Sequence, residues 1–393
     1  MAFSIISDIL IVLVAALLVG ELFEQICWPS VIGEILSGII IGPSIMGLVI
    51  SSDGTSAISS VALFFIIFHI GFEMKTHMVR GKIAGATLLT ITSFLVPLIV
   101  TGIVATYLFP FGFQPNIIIA LGIAIPSISI ISVLVMQYRL LETVTGQIAL
   151  SSATISDVVA FIILAGFVRP LEKELTIILD LAIFVIAFAV LDWLLNRKPE
   201  IFKQILDRFS KRLRREDFSY VLLIIVGLAM SVVFQLIGLS YIIGAFFAGL
   251  IIHEGLIGRE ATQRVSKTLS TMNKVFFIPI FFGLAGVEVI LQAIGVNLYL
   301  YMGLLVAIAM GIGAALTYVV SRKLLSLHMD LVPKQVSAIL SGRGAVGIVI
   351  ASVALSEGAI ESVGFSLVVI ATLIMSLGVP FLTGRVCRTK QNM

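Results

Sequence analysis

Apolar stretches of roughly 20 residues, the length that crosses a bilayer as an α-helix, recur from DILIVLVAALLVG (8–20) to SLVVIATLIMSLGVPFL (366–382). They confine the chain to an all-α polytopic membrane protein. Composition agrees. Of 393 residues, 59% are hydrophobic and 12% charged, against about 25% charged in a soluble domain. So few charged side chains cannot cover a water-facing surface. The two cysteines, Cys27 and Cys387, sit near opposite ends of the chain and suggest neither a disulfide framework nor a metal site.

Hydropathy and breaker residues delimit thirteen spans, at about 6–24, 30–48, 56–74, 84–109, 116–136, 144–168, 175–196, 217–236, 240–254, 272–293, 298–320, 333–356 and 362–384. Alternating sides, with the N-terminus outside, puts all but three of the 25 Lys and Arg in inside loops and the tail. The exceptions are Arg169 and Lys173, outside, and Arg343, within a span. Cytoplasmic loops carry such an excess of basic residues. The pattern predicts a multi-pass protein of the cell membrane, N-terminus outside and C-terminus cytoplasmic. The longest loop, NRKPEIFKQILDRFSKRLRREDF (196–218), is basic and partly amphipathic, suited to lie against membrane lipids. Residues 386–393 are expected to form a short cytoplasmic tail.

The two halves repeat each other. SVIGEILSGIII (30–41) aligns with SYIIGAFFAGLII (240–252), Gly33 and Gly38 matching Gly244 and Gly249. FFIIFHIGFEM (64–74) and FFIPIFFGLAGVEV (276–289) open alike and close on Gly-x-Glu, at Gly71–Glu73 and Gly286–Glu288. Spans 1–6 (residues 1–168) then form one six-helix repeat and spans 8–13 (217–385) the other. A linker span and the basic loop (169–216) lie between, and the odd linker inverts the second copy. Inverted repeats mark secondary transporters, whose site lies near the midplane at discontinuous helices. The fifth span of each half should therefore be broken. The first contains GIAIPSISI (122–130), where Pro126 opposes helix continuation. The second contains LSGRGAVG (340–347), with three glycines around Arg343. Backbone freed at membrane depth must lie beside protein or a watery cavity. Its carbonyls are cation ligands, and the half-helix ends need compensating charge.

SATISDVVAF (152–161) puts Asp157 in the sixth span, with no other ionisable side chain between Gln147 and Val168. An intramembrane carboxylate is costly and marks a functional site. Thr154, three residues earlier, shares its helix face. Ser152 and Ser156 form a second pair at four-residue spacing. With Ser127 and Ser129 beside Pro126, they offer hard oxygen ligands for a monovalent cation. The structural alternative for Asp157 is an ion pair with Arg343. Arg343 itself is expected to neutralise half-helix ends. Glu73, near the inner end of the third span, is either an interfacial carboxylate or a second element of the ion path. Glu34 is a weaker candidate of that kind, and Glu288 is peripheral. His69, one turn before Glu73, is read as a helix-packing residue. No nucleophile–base–orienter set, phosphate loop or His/Cys ligand cluster appears. The chain is therefore read as a non-enzyme without cofactor and without nucleic-acid partners.

Taken together, PSVIGEILSGIIIGPSIMG (29–47), HIGFEM (69–74), SATISDVVAFIIL (152–164), GLSYIIGAFFAGLII (238–252), FFIPIFFGLAGVEV and SGRGAVGIVIA (341–351) resemble the monovalent cation/proton antiporters. The likeness is to the branch holding bacterial and archaeal sodium/proton antiporters and potassium-efflux transporters. It implies a core domain with two crossing broken helices, a dimerisation domain, elevator-type alternating access and a homodimer. By position it implies that Asp157 is the carboxylate for which cation and proton compete. Pro126 to Ser129 match the unwound stretch beside it, and Arg343 matches the basic residue of the other broken helix. Two departures stand out. The pair at the essential aspartate is Ser156–Asp157, where many members have Asp-Asp or Asn-Asp. Ala345 stands where many have an acidic residue. The expected function is exchange of Na⁺, with Li⁺ or K⁺ as alternatives, for H⁺. A single carboxylate makes that exchange electroneutral. The rival readings are a potassium-efflux or channel-like cation pathway and a membrane sensor.

Overall fold

The structure, a computed structural model, describes residues 5–26, 28–77, 83–137, 140, 143–168, 218–236, 240–251, 259–324 and 331–383. The expected seventh span, most of the basic loop and the C-terminal tail lie outside them. In chain order the helices are α1 (Ile5–Gln25), α2 (Ser30–Ile41), α3 (Asp53–His77), α4 (Ile83–Thr90), α5 (Val96–Leu108), α6 (Phe113–Ala124), α7 (Ile128–Gln137), α8 (Val144–Phe167), α9 (Phe218–Leu236), α10 (Tyr241–Ile251), α11 (Arg259–Met272), α12 (Ile278–Val287), α13 (Val296–Leu324), α14 (Pro333–Leu340), α15 (Ala345–Ser356) and α16 (Ser362–Thr383). Among the described residues no strand forms beyond one isolated bridge. Six of the described helical stretches are long and apolar enough to cross a membrane, and shorter apolar helices accompany them.

The chain divides into two compact units. One takes in residues 1–56, 77–167 and 279–393, the other 57–76 and 168–278. In the first unit, α4, α7, α8 and α14 share a core that includes Leu89, Ile131, Val135, Ala149, Ala153 and Ile339. That core fixes α8. In the second unit, Phe64, Phe68 and Phe72 of α3 pack with Leu223 of α9, Ala248 of α10 and Leu269 of α11.

Both expected breaks are present. The fifth span stops at Ala124 and resumes at Ile128; the twelfth stops at Leu340 and resumes at Ala345. Elsewhere the chain absorbs proline without breaking. π-helical turns at Ile91–Leu95 and Asn273–Phe277 each precede a proline, Pro97 or Pro279, by two residues. Proline cannot donate to the carbonyl four residues back, and a wider turn lets the helix pass the defect. The tenth span differs from its expected limits of 272–293. Its helix begins at Arg259, as the polar α11, and ends at Val287. The hydropathy window excluded α11 because only one face of it is apolar.

Two glycine crossings bear on the repeat. In the first unit a Cβ on Gly38 would run into the Gly283 carbonyl, and one on Gly286 into the Ile35 carbonyl. In the second unit a Cβ on Gly249 would run into the Phe68 carbonyl, and one on Gly71 into the Phe246 carbonyl. Ile35 and Phe246 precede Gly38 and Gly249 by the same three residues. Gly283 and Phe68 precede Gly286 and Gly71 likewise. The junction is thus built twice with exchanged partners, span 2 on span 10 and span 9 on span 3. Small residues permit such close backbone approach between membrane helices. Gly286→Val is therefore expected to lower stability by about 1–3 kcal/mol, because rigid backbone must move. Gly303→Ala, with nothing within 4 Å of the new methyl, should leave the melting temperature unchanged or higher. Thermal unfolding of both variants in detergent checks the contrast.

Candidate functional site

The two breaks face each other. Pro126 and Arg343 pair as an antiparallel bridge. Pro126 has no N–H to give, so the rung is made by the Ser127 N–H, which donates to the Gly342 carbonyl at 2.8 Å. Gly347 lets α15 lie against α6, since a Cβ there would meet the Gly122 carbonyl.

Arg343 is fully buried, and carbonyls surround its guanidinium. Nη1 donates to the carbonyl of Ala124, the last residue of α6. Nη2 donates to the Ser93 carbonyl at 2.8 Å and to the Ala309 carbonyl of α13 at 3.4 Å. Each acceptor has a local reason to be available. Ala124 ends a half-helix, whose terminal carbonyls are orphaned and carry partial negative charge. Ser93 lies four residues before Pro97, so its ordinary helical donor is missing. On α13, Gly313 leaves the space; a Cβ there would sit 2.9 Å from Nη2. The Arg343 carbonyl is held in turn by the Ser376 hydroxyl at 2.8 Å.

Asp157 stands on α8, which packs against all four half-helices α6, α7, α14 and α15. Its carboxylate is fully buried, and neither oxygen has a hydrogen-bond partner among the described residues. No ion pair joins it to Arg343 among the described residues, so the structural alternative for Asp157 is not made. A buried carboxylate without partners is too costly to remain a bare charge.

The neighbouring hydroxyls are arranged more locally than the sequence suggested. Thr154 donates to the Leu150 carbonyl at 2.9 Å, and Ser156 to the Ser152 carbonyl at 2.9 Å. This is back-bonding to the preceding turn, and it leaves the oxygen lone pairs as their remaining capacity. The Ser152 hydroxyl lies 3.1 Å from that of Thr90, which also reaches the Ser152 carbonyl at 3.0 Å. The Ser127 hydroxyl, just before α7, is fully buried and has no partner among the described residues. Ser129 lies in α7, and its side chain falls outside the described set. Glu73 belongs to the second unit. It meets His69 at 3.1 Å, accepts from Ser266 at 3.2 Å, and its side chain is 40% exposed. Glu34 is buried at the α1–α2 crossing, its side chain against Gly20.

Residues 9–389 match the family described as sodium/hydrogen exchanger, transmembrane. The chain belongs to the sodium/hydrogen exchanger family. Members of this family are membrane transporters and not enzymes. The Na(+)/H(+) antiporter NhaS4 of Synechocystis sp. is 25% identical, over 95% of this chain and 94% of its own. The Na(+)/H(+)-K(+) antiporter GerN of Bacillus cereus is 24% identical, over 97% and 95%. The solved structure of the sodium proton antiporter MjNhaP1 from Methanocaldococcus jannaschii at pH 8 superposes with a TM-score of 0.68. It shares 16% identity and covers 97% of this chain and 98% of that one, which shows a common fold. Within this exchanger fold, Ser93, Thr90, Pro97 and Gly313 are contributors that the sequence reading passed over. Pro97 was the legible signal, as a proline in the middle of a span.

Proposed function

We propose that the chain exchanges Na⁺ for H⁺ across a cell membrane, with Asp157 holding either ion in turn. One observation carries this reading: a fully buried carboxylate, both oxygens unpartnered, on the helix that packs against all four halves of the broken spans. Ser127, Ser129, Thr154, Ser152 and Ser156 are the proposed oxygen ligands around it. Proton and cation each cancel the charge, so the neutral site crosses and the bare anion does not. Arg343 and Pro126 keep the crossing intact. The movement is of the elevator type, a core domain sliding against a dimerisation domain in a homodimer. In domain terms, the repeats 1–168 and 217–385 flank the 169–216 linker, and 386–393 is the tail.

K⁺ is the second reading, favoured by the relative named as a Na(+)/H(+)-K(+) antiporter. Proton flux in liposomes with Na⁺, Li⁺ and K⁺ in turn ranks the cargo. Saturable, proton-coupled exchange supports the antiporter; uncoupled conductance would support a channel-like pathway instead. Lowering the pH should raise the apparent KM for Na⁺, because proton and cation share one carboxylate.

On this reading, one carboxylate implies one cation per proton. Exchange in liposomes should then be indifferent to an imposed potassium-diffusion potential. A rate that tracks voltage would mean a second titrating group, and Glu73→Gln would be the next variant to make.

A further inference from the structure

We propose that Thr90, at the end of α4, is a positioning residue for the ion site: its hydroxyl takes over the Ser152 carbonyl when Ser156 turns toward a bound cation. The inference rests on the reading of Asp157 and deepens it. Thr90 is buried and closes α4 immediately before the π-helical turn Ile91–Leu95. Such turns collect at functional sites. Thr90 reaches α8 at Ser152, and Ser93, three residues on, gives its carbonyl to Arg343 at 2.8 Å. Span 4 thus ties the helix of Asp157 to the break at Arg343.

The Ser152 carbonyl is oversubscribed. Within α8 it is the helical acceptor for the N–H of Ser156, four residues on. The Ser156 hydroxyl donates to it at 2.9 Å and the Thr90 hydroxyl at 3.0 Å. A carbonyl oxygen has two lone pairs, so the two hydroxyls compete for one place. Thr90 has a second acceptor, the Ala86 carbonyl, also at 3.0 Å, and only one proton to give. Two arrangements follow. With Thr90 turned to Ala86, the Ser156 hydroxyl is held back on its own helix. With Thr90 turned to Ser152, that carbonyl keeps its second donor while the Ser156 hydroxyl rotates to aim a lone pair at the ion beside Asp157. The Ser152 hydroxyl, 3.1 Å from Thr90, fits both arrangements by donating to Thr90. A buried acceptor that loses a donor costs free energy, and Thr90 offsets that cost only when Ser156 has turned. Its hydroxyl therefore favours the cation-bound site over the empty one.

Sodium-driven proton flux in proteoliposomes of the full chain reads apparent KM and maximal rate separately, and thermal unfolding reports folding. Thr90→Val keeps the shape and removes the hydroxyl. It should raise the apparent KM for Na⁺ about three- to tenfold, the factor that one hydrogen bond carries, with the maximal rate little changed. Thr90→Ser should restore the parent KM. Thr101→Val is the control, because Thr101 is also buried in span 4 but its hydroxyl bonds carbonyls of its own helix, Pro97 at 2.7 Å and Leu98 at 3.2 Å. It should leave KM alone. An unmoved KM in folded Thr90→Val overturns the proposal, as does an equal rise in Thr101→Val, a serine variant that behaves like the valine, or a lower maximal rate at constant KM. If the valine variant does not fold, Thr90→Ala carries the same expectation; if neither folds, Thr90 is a structural bolt and the proposal fails. Asp157→Asn runs alongside. Exchange that survives it removes the reading of Asp157 itself, whereas exchange lost there with an unmoved KM in Thr90→Val removes only the role given to Thr90.

Discussion

Asp157→Asn is expected to abolish sodium-driven proton movement while leaving the protein folded. The amide occupies nearly the same volume, so the α8 packing should survive and the melting temperature should stay at or above that of the parent. Neither oxygen of Asp157 has a partner to lose, and a neutral group removes the need to bury a charge. What the amide cannot do is take up or release a proton, or cancel the charge of a bound cation. Proteoliposome exchange should therefore fall to the level of empty vesicles for Na⁺, Li⁺ and K⁺ alike. Robust exchange by a well-folded Asn variant would falsify the assignment and return attention to Glu34 and Glu73.

Arg343→Ala is expected to cost stability more than selectivity. The substitution removes three charge-assisted bonds, to Ala124, Ser93 and Ala309. It strands those carbonyls in the interior and opens a cavity the size of the side chain. Stranded buried polar groups and unfilled volume together cost about 3–5 kcal/mol. A lysine substitute keeps the charge but lacks the planar fork, so it should fall between parent and alanine. The measurements are thermal unfolding and the order of cation preference. An unchanged melting temperature with an altered order would give Arg343 a direct hand in ion binding.

The sequence made some of this site plain and hid the rest for physical reasons. Asp157 was visible because a lone charge in an apolar span has few explanations. The breaks were visible because Pro126 and the glycines around Arg343 oppose helix continuation. The alignment of Gly38 with Gly249 and Gly71 with Gly286 marked glycines that recur, but not that spans 2 and 10 cross at them. By contrast, the partners of Arg343 are backbone carbonyls, and every residue has one. Nothing in the side chains of Ala124, Ser93 or Ala309 announces an acceptor. Thr90 was hidden because its contact with Ser152 joins residues 62 apart through two common hydroxyls. The start of the tenth helix was misplaced because α11 reads as a loop when hydropathy is averaged over both faces.

Pro97 and Arg343 are coupled through one carbonyl, that of Ser93. The proline withholds a donor from the Ser93 carbonyl, and the arginine supplies one from a helix break some 250 residues away in sequence. If the proline is replaced first, the restored N–H competes with the guanidinium for Ser93. If the arginine goes first, the carbonyl is left bare. The two changes together should cost less than the sum of the single ones, since each bears on the same carbonyl. A proline in span 4 thereby bears on which side chain span 12 can accept at position 343.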